Sequence, residues 1–137
     1  MKLHEYHARS LEATLSRVDE AIHRMERLLV DGGQDGVVRK IENTLPKDSR
    51  EALLAGIGSL RARLAATAQT FLLEPHALDI RRVLDAEIST MWLLFENCRP
   101  ERMKGYGQAF AKEAREALEK DVEALLAEIL KLRKQLE

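Results

Sequence analysis

Leu11, Leu15, Val18, Ile22, Met25 and Leu29 follow one another at alternating steps of four and three residues. That cadence keeps every one of them on a single stripe of an α-helix and fits no strand, whose faces alternate with a period of two. It returns in Leu53, Ile57, Leu60, Leu64, Thr67 and Phe71, and in Leu118, Val122, Leu125, Ile129, Leu132 and Leu136. A looser version runs through Ala77, Ile80, Leu84, Ile88, Met91, Phe95 and Cys98. Four stripes of this kind predict four long amphipathic helices, each needing an apolar surface to lie against.

The residues that interrupt helices are scarce, with 7 Gly and 3 Pro in 137 residues. They cluster where the stripes break. Asp31-Gly32-Gly33 stops the first helix, Glu74-Pro75 separates the second from the third, and Arg99-Pro100 opens the longest connection. Asp48 with Glu51 resembles a capping box at the start of the second helix. Residues 34–47 carry Val37, Val38, Ile41 and Leu45, a spacing read as a short helix that ends before Pro46. Gly56 and Gly58 fall inside the second helix, where each costs roughly 1 kcal/mol against alanine. They mark either a close approach of another helix or plain tolerance.

These features predict an all-α chain, a single domain over residues 1–137. Its expected form is an antiparallel up-down-up-down four-helix bundle of long helices with one short extra helix. An extended coiled-coil hairpin that completes its core by dimerising is the alternative, because the last stripe is close to a strict a/d pattern.

Charge and composition narrow the function classes. A formal net charge of −1 draws the chain to neither nucleic acid nor anionic lipid. Aromatic residues make up 4%, so an aromatic-lined ligand pocket has little to build from. The longest apolar run, Met91 to Phe95, is far short of the ~20 residues that span a bilayer. Cys98 is the only cysteine, which suits a reducing compartment, and the first residues have no signal-peptide pattern. A soluble, cytoplasmic protein is expected.

No catalytic constellation stands out. Glu20-x-x-His23 has the spacing of a di-iron ligand pair, yet it occurs once and lacks the further carboxylates such a site requires. His4 and His7 share a helix face, two imidazoles where zinc takes three or four ligands. Cys98 has no histidine near it in sequence to act as base. No metal site and no cofactor are expected.

The residues that exceed what architecture needs lie between Trp92 and Tyr106. Arg99, Arg102 and Lys104 precede Gly105-Tyr106-Gly107 and a helix start, a chemistry suited to a small anion or to a partner's carboxylate. Trp92 sits off the expected inward line of its helix, and Trp, Tyr and Arg are the types enriched at interface hot spots. Glu87, between Leu84 and Met91, is expected as a buried carboxylate held by an arginine such as Arg61 or Arg63. The leading reading is a non-enzymatic helical-bundle module acting through protein partners or self-association, as a small homodimer or assembly subunit. The alternative is an anion or small-ligand sensing bundle that uses residues 99–107.

Overall fold

The computed structural model describes residues 1–103 and 110–137. It is predominantly helical, with α1 (Glu5–Asp31), α2 (Lys47–Thr70), α3 (Ile80–Glu96) and α4 (Lys112–Lys134). A two-stranded antiparallel sheet, β1 (Gly33–Asp35) with β2 (Lys40–Glu42), lies between α1 and α2, and a 3-10 turn covers Pro100–Arg102. The chain forms two compact units, residues 1–75 and 76–137.

In the first unit α1 packs on α2. Their contacts run in opposed order. The Met1 amino group donates to the Thr70 carbonyl at 3.0 Å near one end, and Arg50 Nη2 donates to the Val30 carbonyl at 2.9 Å near the other. The second bond satisfies a carbonyl that the end of α1 would otherwise leave open. Ile22 and Ile57 are the buried side chains of this seam. In the second unit α3 packs on α4 around Ile88, Val122, Leu126 and Ile129.

The stripes are turned from their expected register. On α2 the covered line runs through Leu54, Ile57, Arg61 and Leu64, leaving Leu53 and Leu60 exposed. On α4 it runs through Leu118, Val122, Leu126, Ile129 and Arg133, leaving Leu125 and Leu132 exposed. On α1, Glu26 takes the half-buried place expected for Met25. The cause is the same in each case. A charged side chain whose head finds a partner across the seam can lie in it, its aliphatic stem covering apolar surface.

The short helix expected over residues 34–47 is a β-hairpin instead. Gly32 (φ 74°) caps α1, its N–H bonded to the Leu28 carbonyl at 3.0 Å, and Gly33 (φ 118°) follows in a conformation that side chains rarely adopt. Two such residues in succession throw the chain out of the helical path. Gly36 donates to the Arg39 carbonyl at 2.9 Å to close the turn, with the β-branched Val37 and Val38 at its tip. The strands pair Gly33 with Glu42, Gln34 with Ile41 and Asp35 with Lys40.

Two helix starts also differ. α2 begins at Lys47 behind Pro46 with no side-chain cap, so Asp48 does not act as one. α3 begins only at Ile80, where Asp79 accepts the Arg81 N–H at 2.8 Å and fixes the first turn. The helix expected from Gln108 is α4, which begins only at Lys112 behind Ala111, while residues 104–109 lie outside the described residues.

The two kinds of glycine separate cleanly in a stability assay. A Cβ on Gly58 meets nothing within 4 Å, so Gly58→Ala is expected to stabilise by about 0.8–1 kcal/mol in urea unfolding. A Cβ on Gly33 runs into the Ile41 carbonyl at a positive φ, so Gly33→Ala is expected to destabilise by more than about 1 kcal/mol. Equal effects at the two positions would contradict this backbone path.

Candidate functional site

Arg99 is the most engaged side chain in the region that the sequence singles out. Its Nε and Nη2 fork onto the Glu96 carboxylate at 2.9 and 3.2 Å, and Nη1 donates to Glu123 of α4 at 2.5 Å. Only 22% of the side chain is exposed. The planar guanidinium allows this three-way grip, which no lysine could reproduce. The local chain supplies the geometry, because α3 ends at Glu96 and the chain turns into the 3-10 segment over the buried Pro100. Arg99 therefore ties the end of α3 to α4, with both forks of its charge already neutralised.

Its neighbours are placed differently. Arg102 is exposed on the 3-10 turn. Lys104 and Tyr106 lie outside the described residues. Trp92 is half-buried on α3, four residues from Ile88 and so one turn along. Glu87, expected to be buried, is exposed. A seam between two helices covers a narrower arc than the centre of a four-helix core, and Glu87 stands ~100° around the helix from Ile88. Arg61, one of its expected partners, is bound elsewhere, donating to Glu26 of α1 at 2.9 Å.

Arg133 makes the second tie in the α3–α4 unit. Nη2 donates to Ser89 Oγ at 3.1 Å, and Nε lies 3.7 Å from an Asp85 carboxylate oxygen. Glu26–Arg61, Arg99–Glu123 and Arg133–Asp85 thus join one helix to the other within their units. None was foreseen from the sequence, because i,i+3 and i,i+4 patterns report pairs within a helix only. The local pair Arg9–Glu5, which such a pattern does foresee, is present at 2.7 Å.

Beside the β-hairpin, an open apolar cleft of about 230 Å³ is lined by Met25, Leu29, Ile41, Leu45 and Leu53, with Glu42 and Asn43 at its polar side. Val37 and Val38, at the hairpin tip, are fully exposed, at 103% and 97%. A signal for the hairpin was present in the sequence. Two β-branched residues flanked by Gly36 and Arg39, between short runs, have the loop length of a turn.

His4 stacks on Tyr6 at 5.4 Å and lies 6.0 Å from His7, ring centre to ring centre. Among the described residues no group of three or more His, Cys, Asp or Glu side chains gathers as a metal site, and no helix is long and apolar enough to cross a membrane. Comparison with protein family models, curated proteins and solved structures finds no match. The reading of function therefore rests on this chain's own surfaces.

The arginine ties carry a pH signature. Hydrogen bonding by Arg99 holds the Glu96 carboxyl below its ordinary value of 4.5, against the upward push of desolvation. Arg61 does the same for Glu26. A carboxyl whose pKa is lower folded than unfolded lends stability above the unfolded value and loses it as pH falls through the folded one. The acid limb of the melting-temperature profile, from about pH 5 downward, is thus expected to be shallower in Glu26→Gln/Glu96→Gln than in wild type. Superimposable limbs would mean that neither tie persists in solution.

Proposed function

We propose that this chain is a non-enzymatic, cytoplasmic helical-bundle module that works through protein–protein contacts, as a homodimer or a subunit of a small assembly. In this reading its helices complete one domain as an antiparallel up-down-up-down four-helix bundle.

The observation that carries the reading is a second apolar row left open on the helices. Leu53 and Leu60 of α2 are 41% and 43% exposed, and Leu125 and Leu132 of α4 are 43% and 52% exposed. Each pair is seven residues apart, two turns along one flank. Met25 on α1 and Val83 and Leu84 on α3 are similarly open. Single exposed leucines need no explanation, but rows at helical spacing beside a seam are surfaces built for another helix. A two-helix seam with one buried side chain per helix, Ile22 on α1 and Ile57 on α2, supplies little of the burial that an independent fold requires.

Two closures of these rows are open to the chain, and both belong to the proposal. The rows can meet within one chain and complete the four-helix core, or they can meet the rows of another chain. The engagement of Arg99 with Glu96 and Glu123 weakens the anion-sensing alternative, since it removes the first cation of that loop from free solvent.

Light scattering and thermal melts on Leu60→Glu and Leu132→Glu distinguish the closures. Rows that meet between chains give a wild-type dimer that both variants dissociate. Rows that meet within a chain leave the mass unchanged and lower stability by about 2 kcal/mol or more at each site, as burying an unpaired charge does. Variants with wild-type mass and stability would show that the rows face water, and the reading would fall.

A further inference from the structure

We propose that the β-hairpin tip, Val37-Val38, seats in the apolar cleft beside the hairpin base of a second copy of this chain, and that the exchange is reciprocal. The inference rests on the self-association reading and names a contact that shares Met25 and Leu53 with the open rows but leaves Leu60, Leu125 and Leu132 outside it.

One hairpin carries both a plug and a socket. The two valines at the turn are fully exposed on their own chain. The cleft, about 230 Å³ and walled by Met25, Leu29, Ile41, Leu45 and Leu53, has room for two isopropyl groups. A chain cannot fill its own socket. Val38 is three residue steps from Ile41, so at ~3.3 Å per extended residue the tip stands up to about 10 Å beyond the cleft. Two hairpins side by side and antiparallel about a two-fold axis would place each tip at the other's base. That is the self-complementary arrangement an isologous dimer requires.

Charge fits the same pairing. Lys40 is 3.8 Å from Asp35 of its own hairpin. Among the described residues, Arg39, next to the valines, has no carboxylate partner, and Glu42, on the cleft wall, has no cation partner. Exchange brings the unpaired cation beside one plug to the unpaired anion of the opposite socket. Both are exposed, so the pair serves chiefly to set orientation.

The test is sedimentation equilibrium on the full chain, with circular dichroism and melts to verify the fold. Val37→Asp/Val38→Asp is expected to raise the dimer dissociation constant at least about tenfold. Its monomer melting temperature should stay at the wild-type value, since the valines are already in water. Arg39→Glu and Glu42→Arg should each weaken the dimer about three- to tenfold, because two symmetric pairs are lost. The double variant Arg39→Glu/Glu42→Arg should recover most of the loss. A wild-type dimer unchanged by the valine substitutions would overturn this contact and leave the helix rows as the interface. A loss of affinity that the double swap does not recover would overturn the placement of the tip at the cleft. A wild-type chain that stays monomeric at high concentration would exclude a second copy as the occupant and remove the self-association reading with it.

Discussion

A helix seam that contains an arginine closes only where the guanidinium meets an acceptor on the opposite helix, and this constraint organises both units. Arg61 reaches Glu26, Arg133 reaches Ser89 and Asp85, and Arg99 reaches Glu123 while holding Glu96. Arg61 and Arg133 stand where a periodic reading would put the edge of the apolar stripe. In each the stem lies along the seam, the head meets an acceptor across it, and the adjoining leucine is turned outward. Leu60 beside Arg61 and Leu132 beside Arg133 are the two clearest cases. Exposed ion pairs stabilise little by themselves. What these pairs decide is rotation: they select which flank of an almost evenly apolar helix faces its neighbour.

That selection explains what was legible in the sequence. The four helices follow from the spacing of their apolar residues, because a period near 3.6 has one structural meaning. Ile22, Ile57, Ile88, Val122 and Ile129 belong to the covered line in either register, and they are buried. The rotation about them was not legible. Leu125 and Leu126 are adjacent leucines, so the choice between them lies with Asp85 and Ser89 on another helix, and periodicity contains no information about that distance. Glu87 was misplaced for a related reason. Its expected burial assumed a face as wide as that of a helix at the centre of a bundle, whereas one neighbouring helix covers only the arc from Met91 through Ile88 to Trp92.

The hairpin shows a different limit. Ile41 and Leu45 are spaced as on a helix, but positive φ at both Gly32 and Gly33 sets the direction of the chain before they are reached. Backbone conformation at two glycines outweighs the side-chain pattern of the residues that follow. The candidate site shifted accordingly. Attention that the sequence drew to Arg99, Arg102 and Trp92 moves to Val37, Val38 and the leucine rows, which the fold leaves exposed and which no motif marks. Lys104 and Tyr106 lie outside the described residues and take no part in that change.

The rows also limit what can cover them. They adjoin the existing seams, so an incoming surface would extend a core already begun, and it must match leucines two turns apart on a helix flanked by charge. A flat sheet or a small ligand offers no such spacing. Another helix with its own apolar row does, and the chain carries that feature on α2 and α4 alike. The surface best matched to each open row is therefore one that this sequence itself encodes.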